Sequence, residues 1–210
     1  MPTALIWGAS GEIGRALAAR LIREGWRVLA VARDTNALLD LNIDSYGADF
    51  ARDADVAAAA LWAAQEVETV DLWVYAAGDI LNRPLADTST ADWARIMAAN
   101  ATGAHAAVAH SLPLTLPRGH LVFVGAYVDR VTLPRLGAYA AAKAALDAYV
   151  QVLAKELRDR RVTLVRAGAI DTPLWGKAGF KVPRGALAPG AVAEAIVRAH
   201  GEGHKGYLDL

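Results

Sequence analysis

The fold of this chain is decided by the stretch Thr3-Ala4-Leu5-Ile6-Trp7-Gly8-Ala9-Ser10-Gly11-Glu12-Ile13-Gly14. Its first five residues form a short apolar run, which predicts a buried β-strand. The three glycines permit a tight turn, a close approach of the backbone to a phosphate, and close packing of a helix on a sheet. Apolar residues then recur at helical spacing over residues 13–23, and Gly25 is a stop signal. The stretch predicts a strand, a phosphate-binding turn and a helix, although such a turn can also serve packing alone.

The rest of the chain repeats this alternation. Short apolar runs predict further strands at residues 27–32, 46–48, 70–76, 120–124, 162–166 and 207–210. Helical spacing predicts further helices at residues 53–67, 89–97, 100–116, 138–158 and 189–199. Repeated units of this kind predict a single-domain, Rossmann-like α/β fold over residues 1–210, with helices on both faces of a doubly wound parallel sheet of about seven strands. Ligands of such sheets bind beyond the carboxyl ends of the strands.

Composition excludes several classes of function. The 210 residues carry 22 basic and 22 acidic side chains, and no run of lysine or arginine offers the footprint of a nucleic-acid partner. The absence of cysteine excludes disulfides and thiolate chemistry. No charge-free apolar stretch approaches about 18 residues and no basic leader precedes the first strand, so we expect a cytoplasmic protein without a membrane partner. His105 and His110 are poorly spaced for a shared ion, so we expect no metal site.

The residues after the second predicted strand bear on the choice of dinucleotide. An acidic side chain there accepts the ribose 2′-hydroxyl of NAD, whereas an arginine favours the 2′-phosphate of NADP. Arg33 holds the first loop position and Asp34 the second. We therefore expect NADP(H) as the preferred cofactor. NAD(H) stays possible, because Asp34 can bond a ribose and an arginine at a strand end is often simply solvated.

Tyr139 and Lys143 are the strongest candidates for chemistry. They stand four residues apart in a predicted helix, which places both side chains on one face with Cβ atoms about 5–6 Å apart. A nearby cation lowers the pKa of a phenol, so we expect Tyr139 to deliver a proton near neutral pH. On its own such a pair is more often an ordinary feature of a helix surface, so its meaning depends on the motifs around it.

These motifs together resemble those of the short-chain dehydrogenase/reductase family over essentially the full length of the chain. The resemblance matches Tyr139 and Lys143 to the catalytic pair, and Asn100 to an asparagine that supports a water and the lysine. It implies a nicotinamide-dependent oxidoreductase acting on a small molecule and, by analogy, a homodimer or homotetramer. The cofactor contacts that the turn, the strand ends and the resemblance together predict are Gly8, Ser10, Gly11, Ile13, Gly14, Arg33, Asp49, Phe50, Ala76, Ala77, Gly78, Tyr139, Lys143, Ile170 and Thr172.

Ala126 is the largest departure from the family pattern, which has a serine there to bond the substrate carbonyl beside the tyrosine. Loss of one such donor typically raises a barrier by about 2.7–4 kcal/mol, a factor of roughly 10²–10³ in rate. Three explanations stay open: Tyr127 supplies its hydroxyl, the substrate is activated enough to need one donor, or the protein binds cofactor without turnover. The dihydropteridine reductases, a branch of the family with an activated quinonoid substrate, are similar to this chain locally.

The segment after the sixth predicted strand is short for this family. Residues 173–187 are expected to form the substrate lid, in which Trp175 is a candidate for stacking on the substrate or for simple packing. Two functions remain. The first is reduction of a small carbonyl or of an activated, imine-like or quinonoid substrate, with Tyr139 as general acid. The second is an NADP(H)-binding sensor or scaffold that kept the fold and lost efficient chemistry.

Overall fold

The computed structural model describes the whole chain, Met1–Leu210, and contains one seven-stranded sheet. The strands are Thr3–Trp7 (β1), Arg27–Ala32 (β2), Asp44–Gly47 (β3), Val70–Tyr75 (β4), Thr115–Val124 (β5), Arg161–Arg166 (β6) and Gly206–Asp209 (β7). All neighbours pair in parallel, in the order β3-β2-β1-β4-β5-β6-β7. The chain reverses its direction of winding between β1 and β4, which confirms the predicted doubly wound sheet.

Helices cover both faces of this sheet. They are Glu12–Arg23 (α1), Asp53–Glu66 (α2), Thr90–Met97 (α3), Gly103–Ser111 (α4), Val128–Val131 (α5), Gly137–Glu156 (α6), Leu174–Lys177 (α7) and Pro189–Gly201 (α8). Apolar side chains of α2, α4 and α6 pack on one face, and those of α1 and α8 pack on the other. Because both faces are covered, the strands read as nearly continuous apolar runs. None of the helices combines the length and the apolarity needed to cross a membrane.

The helix predicted at residues 100–116 is wrong at both ends. No helix begins at Asn100, because α3 continues into α4 through a wider π-helical turn at Ala98–Thr102. The Tyr75 hydroxyl donates to the Ala99 carbonyl oxygen at 3.0 Å and so satisfies a backbone group of that turn. At the other end, Pro113 lies in a 3₁₀ turn after α4 and lacks the N–H that a helix needs. The chain then enters β5 at Thr115, five residues earlier than predicted.

A buried histidine, His120, lies on the inner strand β5 and pairs with Arg161, the first residue of β6. The His120 side chain is fully buried, and its Nε2 atom is 2.8 Å from the Thr163 hydroxyl oxygen. Its Nδ1 atom has no hydrogen-bond partner, and its ring stacks on that of His200 with 5.5 Å between centroids. Burial lowers the pKa of His120 to about 3, so the fold holds this imidazole neutral.

Candidate active site

A cavity of about 1030 Å³ lies beyond the carboxyl ends of the strands. Its walls come from the segments that follow β1, β2, β4, β5 and β6, from α6, and from residues 172–183. The volume slightly exceeds the range of about 300–1,000 Å³ that is usual for small-molecule sites, so it suits a large ligand or two ligands together. All residues predicted to contact cofactor or substrate line this cavity except Gly14 and Asn100, which are buried.

The glycine turn is shaped for close backbone approach. Gly8 has φ +85, and a Cβ atom there would lie 2.4 Å from the Ala77 nitrogen. A Cβ atom on Gly14 would lie 2.4 Å from the Gly8 carbonyl oxygen. Both obstacles are backbone atoms, so no side chain fits at either position. Helix α1 begins directly after the turn, and its first N–H groups have no helical acceptor, so they can bond an anionic ligand.

The far end of the cavity is formed by the segments after β2 and β3. Arg33 is exposed and lines the cavity wall. Asp34 is not part of that wall, and its carboxylate accepts the Asn36 N–H at 3.0 Å. Asp49 and Phe50, which the sequence analysis predicts to contact the cofactor, also line the cavity. The geometry therefore presents a cation, rather than the neighbouring carboxylate, to a ligand at this end.

Helix α6 places Tyr139 and Lys143 on the cavity wall, one helical turn apart. The Lys143 Nζ atom lies 5.7 Å from the centre of the Tyr139 ring and donates to the Val124 carbonyl oxygen at 3.0 Å. Burial raises the pKa of Tyr139 to about 12 and lowers the pKa of Lys143 to about 8. The prediction that Lys143 lowers the pKa of the phenol is therefore wrong for the protein alone, because desolvation outweighs the attraction of the ammonium group.

Asn100 lies behind this pair, where the π-helical turn positions it. Its Nδ2 atom donates to the Asp79 carbonyl oxygen at 2.8 Å and to the Ile96 carbonyl oxygen at 2.9 Å. Its buried Oδ1 atom has no partner and lies 3.1 Å from the point that a Cβ atom on Gly78 would occupy. The Lys143 Nζ atom is 3.9 Å from the same point. The absence of a side chain at Gly78 thus lets the Asn100 oxygen and the Lys143 ammonium face one small space.

Ala126 lines the cavity and offers no side-chain donor. The next residue is held elsewhere, because the Tyr127 ring has the Arg130 guanidinium 4.1 Å and the Arg166 guanidinium 5.4 Å from its centre. The pKa of Asp209 lies below its ordinary value because of the Arg166 guanidinium and, more weakly, the Tyr127 hydroxyl. The Tyr127 ring is thus held by two guanidinium groups, which argues against Tyr127 as a substitute for the missing serine.

The expected lid is short and is anchored at its base. Within it, the Trp175 side chain lines the cavity while its indole N–H donates to the Ile170 carbonyl oxygen at 2.7 Å. The Asn82 side chain donates to the Ala178 carbonyl oxygen at 2.6 Å. These bonds tie helix α7 to the segments after β6 and β4. The indole is thus fixed by the backbone, with one surface left at the cavity.

Sequence reasoning missed a charged cluster at this anchor. The Asp79 carboxylate is buried and bonds both Arg95 from α3 and Lys177 from α7. All three residues line the cavity. The sequence contained one indication of this cluster, because Asp79 directly follows an apolar strand and Gly78. Burial of its carboxylate there is unfavourable unless charged or hydrogen-bonding partners surround it. The partners themselves are far away in the sequence and could not be read from it.

Comparison with known proteins agrees with this geometry. A family model described as short chain dehydrogenase matches residues 2–181. Glycine betaine reductase ATRR of Emericella nidulans is 31% identical over 218 residues, but the match spans 93% of this chain and only 17% of that protein. An alcohol dehydrogenase from the archaeon Thermococcus sibiricus, complexed with 5-hydroxy-NADP, has a TM-score of 0.88 at 26% identity, covering 100% of this chain and 96% of that chain.

A second solved structure gives the same result. It is a short-chain dehydrogenase from Sphingobium yanoikuyae in complex with NADPH, with a TM-score of 0.86 at 25% identity. The match covers 98% of this chain and 86% of that chain. The seven-stranded parallel sheet is the fold that the alternation of strands and helices predicted. This chain belongs to the short-chain dehydrogenase family of oxidoreductases.

Proposed function

We propose that this protein is an NADP(H)-dependent reductase of a small carbonyl or of an activated, imine-like or quinonoid substrate, with Tyr139 as general acid. The observation that carries the proposal is that Tyr139 and Lys143 line the same cavity as the glycine turn. Bound nicotinamide would supply the hydride. The glycine turn on the cavity wall, with the free N–H groups at the start of α1, fits the pyrophosphate of such a cofactor.

Two observations support NADP(H) over NAD(H). Arg33 lines the cavity, whereas the carboxylate of Asp34 is bonded to the backbone of its own loop. A free guanidinium favours a 2′-phosphate, and the Asp34 carboxylate lies outside the cavity wall, where it is less well placed to accept a ribose hydroxyl. The relatives from Thermococcus sibiricus and Sphingobium yanoikuyae were solved with NADP-type ligands, which agrees with this preference.

The ionisation of the pair suits a proton donor. Tyr139 keeps its proton at neutral pH, because burial raises its pKa to about 12. Lys143 is cationic below its pKa of about 8, so its charge can stabilise the phenolate that remains after proton transfer. The unpaired Oδ1 atom of Asn100 faces the same space as Lys143. A water between these two groups would return a proton toward Tyr139.

The missing serine limits the substrate. Ala126 gives no second donor, and the Tyr127 ring is held by the guanidinium groups of Arg130 and Arg166. We therefore favour a substrate that is already activated toward hydride. The alternative function, a cofactor-binding sensor or scaffold, rests on the same alanine, because the loss of one donor costs roughly 10²–10³ in rate.

The test is a turnover screen with NADPH and NADH over simple ketones, quinones and quinonoid dihydropterin. We expect Tyr139→Phe to lower kcat by about 10²–10⁴ while NADPH binding is retained. Tyr149→Phe is the matched control on the same helix, because Tyr149 packs against the core and does not line the cavity. Tight binding of NADPH without turnover of any substrate would establish the sensor and refute the reductase.

A second set of binding measurements tests the preference for NADPH over NADH. We expect Arg33→Ala to weaken NADPH binding by at least about 10-fold and to leave NADH binding nearly unchanged, because the lost bond is to a charged phosphate. A wild-type protein that prefers NADH refutes the assignment.

We further propose that the protein forms a homodimer or homotetramer, as the family resemblance implies, and that it acts in the cytoplasm. Val152 is exposed on the outer surface of helix α6, so it offers a position at which the proposed interface can be perturbed. Sedimentation velocity should detect an assembly that Val152→Lys weakens. A monomer at every concentration contradicts the proposal.

A further inference from the structure

The substrate end of the cavity has an unusual balance of charge. We define this end as the lining residues between 126 and 139 and between 173 and 183. Most of them are apolar, among them Leu136, Trp175 and Phe180. No acidic side chain lines this end, whereas three cations do: Arg130, Lys177 and Lys181.

One of these three cations is already engaged in an ion pair. Lys177 bonds the buried carboxylate of Asp79, together with Arg95. Lys181 is exposed on the lid. Arg130 is exposed as well, but its guanidinium lies over an aromatic ring and it has no ion pair with a carboxylate.

The surroundings of Arg130 fix its position. Its guanidinium stacks over the Tyr127 ring at 4.1 Å from the centre. One of its terminal nitrogens lies 3.4 Å from the point that a Cβ atom on Gly168 would occupy. The nearby carboxylate of Asp209 is bonded through both oxygens to Arg166, at 2.8 and 2.9 Å. The planar donors of Arg130 are therefore free to bond a ligand.

We propose that Arg130 is a specificity-determining residue that binds an oxyanion of the substrate. The substrate would be a carbonyl compound with an apolar body and a carboxylate, sulfonate or phosphate group. A guanidinium bonds such groups through two parallel hydrogen bonds, and the apolar residues beside Arg130 would contact the body of the substrate. The inference rests on the proposed reductase function and narrows its substrate class.

The test compares keto acids with neutral methyl ketones of the same chain length. Binding to the NADP⁺-saturated protein is measured by calorimetry, so no turnover is needed. We expect keto acids of one length range to bind at least about 10-fold more tightly than the matched ketones. Arg130→Gln should remove about 10- to 100-fold of keto-acid affinity and leave ketone affinity unchanged. Arg130→Lys should retain part of the preference, because it keeps the charge.

Arg184→Gln is the matched control, because Arg184 is exposed on the lid and does not line the cavity. Equal affinity for keto acids and ketones, no binding of any keto acid, or an equal loss in both arginine variants overturns the proposal. An NADPH oxidation assay with the same compounds distinguishes failure of the anion site from failure of the proposed reductase function. Reduction of neutral and anionic ketones with equal efficiency refutes the anion site alone. Selective binding of keto acids without reduction of any compound refutes the reductase and leaves the anion site standing.

Discussion

Replacement of the buried lysine should make the protein more stable at neutral pH while abolishing its chemistry. Lys143 is 5% exposed, and its ammonium bonds only the Val124 carbonyl oxygen. Burial lowers its pKa from 10.5 to about 8. A lowering of this size corresponds to a folding penalty of about 3 kcal/mol for the charged form. Methionine removes this penalty and forfeits the hydrogen bond, which offsets about 1 kcal/mol. We expect Lys143→Met to gain about 2 kcal/mol at pH 7.

The pH dependence of this gain has a definite sign. Below about pH 8 the lysine is protonated in both the folded and unfolded states, so the wild type carries the full penalty. Between that pKa and 10.5 the unfolded state alone holds the proton, so wild-type stability rises by about 1.4 kcal/mol per pH unit relative to the variant. The advantage of Lys143→Met should therefore shrink above pH 8 and reverse near pH 10.

Urea unfolding followed by circular dichroism, without cofactor, measures both quantities. Lys155→Met is the control, because Lys155 is exposed on the same helix and should show no pH-dependent difference. The reasoning is refuted if Lys143→Met is less stable than the wild type at pH 7, or if the difference between them does not change with pH.

Three further outcomes follow from other parts of the structure. Ala126→Ser should raise kcat for simple ketones by up to about 10²-fold in an NADPH oxidation assay, and an unchanged rate would mean that a hydroxyl is not limiting. Gly14→Ala places a Cβ atom 2.4 Å from a backbone oxygen. We therefore expect the free energy of unfolding in urea to fall by about 1–3 kcal/mol and NADPH binding to weaken. A variant as stable as the wild type would contradict the close packing. The pKa of His120 falls from 6.5 to about 3, so below pH 6.5 the unfolded state binds a proton that the folded state does not. Between pH 7 and 5 the wild type should therefore lose about 2 kcal/mol more than His120→Gln, and parallel pH profiles would refute this.

The sequence by itself determined the parts of the fold that depend on neighbouring residues. The strand, turn and helix over residues 3–23 follow from an apolar run and three glycines, and the clash that excludes a side chain at Gly14 is with Gly8 in the same segment. The spacing of Tyr139 and Lys143 placed both on one face of α6, because helix geometry is local. The repeated alternation predicted the parallel, doubly wound sheet, because buried strands with intervening helices pack in few other ways.

Only the tertiary structure decided the electrostatics of the site. The pKa of Tyr139 moves upward rather than downward, because desolvation depends on all the segments packed around α6 and not on the lysine four residues away. The Asp79 cluster joins α3 and α7 through residues that are far apart in sequence. Tyr127 is held by two arginines, one of them from β6, and so cannot be assigned from its position next to Ala126. Spacing along the chain determined which groups could react, and burial and long-range contacts determined their charge and their partners.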